Sequence, residues 1–334
     1  MRTPIIIAEA GVNHNGDLDM ALQMIEAAKD AGADYIKFQT FKAGNLVTPE
    51  GKTAGYQKAN CDADSQIEML RKLEISFDDF KTIALYCKEL GIGFLSTPFD
   101  AESIDFLASL GLDYMKIPSG EITNLPYLRH VASTGIPAIL STGMSETDEI
   151  KAALKVFYQA GYTHDNLTLL HCTTEYPTPM HDVNLKAMLT MRAMFGIATG
   201  YSDHTRGIEV SVAAAALGAT VIEKHFTLSR ALEGPDHKAS LEPGELAGMV
   251  KAVRNVTEAL GDGEKRVTAS ERPNIAVARK SIVAKRDIKA GEIFSTENIT
   301  TKRPGTGLCP MKWWDKIIGT AAKTDFPKDS LIYV

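Results

Sequence analysis

The chain has 334 residues, a formal net charge of −6, and 44% hydrophobic and 23% charged residues. This is the composition of a soluble globular protein too long for one small module, and its apolar runs, such as 5–8, are too short to span a bilayer. The 36 lysines and arginines are spread along the chain, which leaves no nucleic-acid footprint but allows a small anionic substrate held by local lysines.

Short β-rich runs alternate with longer amphipathic stretches as far as about Thr227, the signature of parallel βα units. The first strand is expected over 4–10. It starts at once, with no basic region, long apolar stretch or cleavage site of a secretory signal, so a cytoplasmic protein is expected. Further strands are expected over 34–39, 92–98, 113–118, 138–142, 167–173, 197–201 and 221–226. Three of them are approached alike, through Gly32, Gly111 and Gly218, each glycine ending a helix and each strand carrying a lysine towards its C-terminal end. Ser76 with Asp79 and Ser145 with Asp148 are the expected helix starts. Eight strands in this pattern predict an α/β fold, a TIM (β/α)8 barrel. The competing open doubly wound sheet lacks its glycine-rich fingerprint, because Gly11-Val12-Asn13-His14-Asn15-Gly16 follows the first strand instead.

Beyond Leu260 the composition changes. The barrel is expected over 1–265, a charged, helix-poor linker over 266–280, and a small second domain over 281–334 in which Trp313 and Trp314 read as core or docking residues. The four cysteines, Cys61, Cys87, Cys172 and Cys309, have no paired spacing and read as reduced thiols.

Chemistry in such barrels gathers where the strands end. In chain order the polar strand ends are Glu9; Lys37 and Gln39; Thr97; Lys116 and Ser119, with Glu121 just beyond; Ser141; Thr173 and Thr174; Ser202, Asp203 and His204; and Lys224 and His225. Any one of them could be a structural cap or ion pair, but together they could hold a phosphate, a carboxylate and a metal in one mouth. Lys37 and Lys116 lie on strands that face a packed interior, where an unpaired ammonium is costly and an anionic ligand would offset the cost. A Schiff base on Lys116 or Lys224 is the alternative use. His204 and His225 end adjacent strands and could share one divalent ion with an open coordination sphere. His14 and His237 remain candidates for a substrate loop.

The ordered motifs Ala8-Glu9-Ala10-Gly11-Val12-Asn13-His14-Asn15-Gly16, Ile36-Lys37-Phe38-Gln39, Leu95-Ser96-Thr97-Pro98-Phe99-Asp100, Lys116-Ile117-Pro118-Ser119-Gly120-Glu121, Ser141-Thr142-Gly143-Met144, Gly200-Tyr201-Ser202-Asp203-His204-Thr205, Glu223-Lys224-His225-Phe226 and Gly234-Pro235-Asp236-His237 resemble the sialic acid synthases. That family includes N-acetylneuraminate, legionaminate and pseudaminate synthases, and the resemblance covers nearly the whole chain. It implies a TIM barrel followed by an antifreeze-like domain of the SAF type, in a domain-swapped homodimer where Arg303 reaches the partner's sugar. It also implies condensation of phosphoenolpyruvate with an N-acetylated hexosamine to a nine-carbon 2-keto sugar acid and phosphate.

By the same resemblance Lys37, Thr97, Lys116, Ser119, Ser141 and Ser202 would hold phosphoenolpyruvate. Gln39, Phe99, Tyr176 and Asp236 would shape the sugar site, and His204 and His225 would bind Mn²⁺ or Mg²⁺. Glu121 is the expected group for handling water, with Glu9 assisting. Thr174 stands where other members have a phosphate-contacting asparagine, so its part is open. N-acetylmannosamine is the expected acceptor. The alternatives are a 6-deoxy diacetamido hexose, giving legionaminate or pseudaminate, and a carbohydrate-binding protein without catalysis.

Overall fold

The computed structural model describes residues 3–48 and 65–334; Cys61 lies outside them. Eight strands are present: β1 (Ile5–Gly11), β2 (Tyr35–Thr40), β3 (Gly93–Pro98), β4 (Met115–Ile117), β5 (Ala138–Ser141), β6 (Leu167–His171), β7 (Ala198–Asp203) and β8 (Val221–His225). They form one parallel sheet in the order β3-β2-β1-β8-β7-β6-β5-β4. Because β1 pairs with both β2 and β8, the sheet rolls up rather than opening into two wings. The end strands β3 and β4 lie side by side without a ladder between them among the described residues, so the barrel is nearly closed. The open doubly wound alternative is thereby overturned.

Local chemistry starts and stops the helices that return the chain. Asp17 accepts the amide of Met20 at the head of the helix Leu18–Asp30, and Ser76 accepts that of Asp79 before Phe77–Leu90, which ends at Gly91 with φ +70°. The start expected at Ser145 falls one residue later. The Ser145 hydroxyl is taken by the carbonyl of Gly143, and Glu146 with Glu149 forms the capping box of the helix Thr147–Gln159.

Strand periodicity sorts the side chains into layers. Residues pointing outward, such as Ile6, Ala8, Ile36, Phe38, Met115, Ile117, Leu140 and Leu169, pack against the helices in two large clusters. Residues pointing inward, namely Ile7, Leu95, Ile139, Leu170 and Val221 with Tyr35 and Tyr114, fill the barrel interior. At the same level β7 carries Gly200, where an added Cβ would stand 2.2 Å from the carbonyl oxygen of Val221, so the packed interior leaves no room for a side chain. Two residues further along each strand the inward positions are Glu9, Lys37, Thr97, Lys116, Ser141, Cys172, Ser202 and Glu223. An apolar floor thus carries a polar ring one strand period above it.

The chain divides into two compact units, Met1–Asp262 and Gly263–Val334. The stretch 266–280, expected to be helix-poor, carries the helix Arg272–Ala278 and groups with the second unit. That unit pairs β9 (Ser281–Ala284) with β10 (Ile299–Lys302) in antiparallel fashion. Its core includes Ile282, Phe294, Ile299 and Phe326, against which Trp313 and Trp314 pack as expected. Among the described residues Cys87, Cys172 and Cys309 are free thiols, and no helix is long and apolar enough to cross a membrane.

Candidate active site

The polar ring opens into a cavity of about 280 Å³ at the C-terminal ends of the strands. Of the residues singled out in the sequence, Glu9, Lys37, Gln39, Thr97, Phe99, Lys116, Ser119, Ser141, Thr174, Tyr176, Ser202, His204, His225 and Asp236 all line it. The β1 loop that begins this constellation is pinned from below: the Asn13 amide donates to the carbonyl of Phe226 and to Ser240, joining β1 to the chain after β8.

Four buried ionic groups sit at its base. Lys37 Nζ lies 2.6 Å from Glu9 Oε2 and 3.7 Å from Glu223 Oε2, and Lys116 Nζ lies 3.3 Å from Glu223 Oε1. Lys37 also donates to Thr97 Oγ1 at 3.0 Å, and Ser202 donates to Glu223 at 2.8 Å. Burial raises the Glu9 carboxyl to about 7 in spite of Lys37. Burial would raise Glu223 too, but the Lys116 and Lys37 ammonium groups and the Ser202 hydrogen bond outweigh it and bring it to about 2. Burial pulls Lys116 below an ordinary lysine, whereas for Lys37 the carboxylates of Glu223 and Glu9 overcome burial and hold it above. The Ser141 hydroxyl is buried beside these groups and has no hydrogen-bond partner, a donor left over for a ligand.

Two imidazoles share the mouth. His204 and His225 have ring centroids 5.5 Å apart, and Tyr176 packs against both. His204 Nδ1 is fixed by the Thr173 carbonyl at 2.6 Å, while His225 Nδ1 is buried without a partner. Burial lowers His204 to about 4 and His225 well below its ordinary value, so both rings are neutral, the form that ligates a cation. Among the described residues no group of three His, Cys, Asp or Glu side chains is disposed around one point, so a cation here would take its other ligands from water or substrate. The donor set fits a divalent ion with an open coordination sphere.

Several expectations change. Glu121 does not line the cavity; it lies in the short turn Ser119–Glu121, where its Oε2 accepts the Asn124 amide at 2.6 Å. Glu223 occupies the base of the ring instead. It stood in a quoted motif but was not chosen, and the signal that finds it is its place two residues beyond the interior Val221. Lys224 points the opposite way: its side chain is fully buried, 3.1 Å from Asp203 and bonded to the Thr205 carbonyl, outside the cavity lining. A Schiff base at Lys224 is therefore excluded by position. His237 and His14 are buried scaffold groups, the first bonded to Thr227 and Asn15, the second accepting the amide of Gly16. Thr173 uses its hydroxyl on the Asp182 carbonyl. Arg303 belongs to the second unit, where its Nε donates to the carbonyl of Ala278.

One side of the cavity is different in kind. Val12 after β1, Phe41 and Leu46 after β2, Met69, Leu70 and Leu73 on the helix Gln66–Leu73, and Phe99 after β3 form an apolar wall above β1–β3. The ionic groups and hydroxyls lie opposite and below.

Comparison with known proteins adds the following. Residues 24–265 match the family model described as NeuB family, and residues 279–333 match the SAF domain. The chain is 53% identical to the N,N'-diacetyllegionaminic acid synthase of Campylobacter jejuni, over 99% of both chains. It is 49% identical to the protein of the same name from Legionella pneumophila, over 92% of this chain and 87% of that one. The crystal structure of the N-acetylneuraminic acid (sialic acid) synthetase from Leptospira borgpetersenii in complex with citrate superposes with a TM-score of 0.73 at 35% identity, covering 82% of this chain and 90% of that one.

Proposed function

Because the chain belongs to the NeuB family, we propose that it is an N,N'-diacetyllegionaminate synthase, condensing phosphoenolpyruvate with a 6-deoxy diacetamido hexose and water to a nine-carbon 2-keto sugar acid and phosphate. The observation that carries the acceptor is the 53% identity to the Campylobacter jejuni enzyme across the full length of both chains, well above the 35% to the sialic acid synthetase of known structure. The first-choice acceptor from the sequence, N-acetylmannosamine, gives way to its alternative.

The buried ring supports this chemistry. Lys37 and Lys116, with the hydroxyls of Thr97, Ser119, Ser141 and Ser202, are suited to the phosphate and carboxylate of phosphoenolpyruvate through charge-assisted bonds. The anion would replace part of what Glu223 now gives the two lysines. His204 and His225 would hold the divalent cation, Mn²⁺ in preference to Mg²⁺ because two nitrogen donors suit the softer ion; when bound, it polarises the acceptor aldehyde oxygen. The methylene carbon of phosphoenolpyruvate attacks the aldehyde carbon, water adds to the oxocarbenium-like C2, and phosphate leaves with cleavage of the C2–O bond. Glu9, with a carboxyl near 7, would accept and return a proton at neutral pH, a role first given to Glu121. In the family's swapped dimer Arg303 of one chain would reach the other's sugar.

The test is a substrate panel with phosphoenolpyruvate, scored by phosphate release and product mass. Turnover confined to N-acetylmannosamine would refute the acceptor. His204→Ala should abolish the Mn²⁺ binding detected by electron paramagnetic resonance while leaving the far-ultraviolet circular dichroism unchanged, and unaltered Mn²⁺ binding would refute the ligand assignment.

A further inference from the structure

The helix Gln66–Leu73 presents Met69, Leu70 and Leu73 on one face, at the spacing that aligns side chains on a helix. That face meets Phe41, Leu46 and Phe99 to make the wall over β1–β3, and these six residues belong both to an apolar cluster and to the cavity lining. Each sugar hydroxyl pressed against such a wall loses its water without gaining a partner. Gln66 is the polar residue at its edge; its side chain makes no hydrogen bond among the described residues, and its amide matches the N–H and C=O of an acetamide.

A 6-deoxy diacetamido hexose differs from N-acetylmannosamine in two ways: C6 is a methyl, and a second acetamido group replaces a hydroxyl. Both changes exchange a hydroxyl for a group with a methyl surface. We propose that the apolar wall is the acceptor-selecting surface of this site, taking the C6 methyl and the second acetamido methyl and disfavouring a hexosamine that carries hydroxyls there. This rests on the function proposed above and names the residues that would produce its selectivity. A hydrophobic pocket rejects an analogue bearing an extra hydroxyl by up to about a hundredfold, which sets the scale expected of kcat/KM for the two sugars.

The experiment measures kcat/KM for both sugars, with phosphoenolpyruvate and Mn²⁺, in the native protein, in Leu46→Gln and in Leu70→Gln. Leu46 is half-buried, so its variant should fold even if the more deeply buried Leu70 does not tolerate the change. The native protein is expected to favour the diacetamido sugar, and Leu46→Gln to reduce that preference at least tenfold by losing the first sugar and gaining the second. Native preference with an unchanged ratio in Leu46→Gln would overturn the wall as selector and leave the proposed function standing. Native preference for N-acetylmannosamine would overturn both.

Discussion

Replacing Glu223 by glutamine should destabilise the ligand-free protein strongly and make it respond more than the native protein to an anion. The carboxylate is 3.3 Å from Lys116 and 3.7 Å from Lys37 in a site almost without solvent. At an effective dielectric of about 20 each contact is worth roughly 4–5 kcal/mol, from which the several kcal/mol saved by not burying the carboxylate must be subtracted. The Ser202 hydrogen bond can pass to the glutamine amide oxygen. The net loss is about 3–5 kcal/mol, the range for removing one partner of a buried pair. At roughly 2 °C per kcal/mol for a chain of this size the Tm should fall by about 6–10 °C. Phosphoenolpyruvate or inorganic phosphate should return much of that loss, because it supplies the missing negative charge between the lysines. Thermal unfolding of both proteins, with and without each anion, reads this directly. A ligand-free variant as stable as the native protein, or one that anions stabilise no more than the native protein, would refute the view of Glu223 as the internal counter-charge of an anion site.

Glu9 should show itself in the pH dependence of stability. Its folded pKa of about 7 lies above the ordinary carboxyl value of 4.5, so the native state holds more protons than the unfolded one between these values and its contribution to stability falls as pH rises through them. Glu9→Gln should gain on the native protein by about 3 kcal/mol between pH 4 and 8; a constant difference in urea unfolding across that span would disprove the shift. Lys224→Met leaves the buried Asp203 without its ammonium partner and should cost about 3–5 kcal/mol in the same assay, whereas a Schiff-base enzyme would lose activity without that cost. Glu121→Gln should keep kcat/KM within about threefold, since its carboxylate faces Asn124 and not the cavity; a loss of two orders of magnitude would restore it to the chemistry.

Much of this was legible because strand ends in a parallel barrel are marked by composition. All eight strands overlap their expected ranges, and fourteen expected site residues line one cavity. What failed has a common cause. Choosing polar residues near strand ends does not say which way they point, so Lys224 and Glu121 looked as eligible as Lys116, while Glu223 was passed over one position too early. Anchoring each strand on its interior residue, Val221 for β8 and Tyr114 for β4, fixes the parity and recovers Glu223 and Lys116 together. The apolar wall was not readable at all. Its residues come from three loops, the short helix Ala43–Leu46 and the helix Gln66–Leu73, whose meeting depends on tertiary packing, and in the sequence Met69, Leu70 and Leu73 are simply the buried face of an amphipathic helix.

In β7 and β8 the alternation runs Ser202, Asp203, His204 and Glu223, Lys224, His225, with the middle member of each triplet turned towards the helices, where Ser211 and Thr205 bond to Asp203. The two strands therefore behave like a reading frame. Loss of one residue inside either would bring an ion into the mouth, send an imidazole into the helical layer, and strip the remaining half of the outer pair of its counter-charge. A change of length in this part of the chain would keep that frame only if it fell in the segments beyond Thr205 and Thr227.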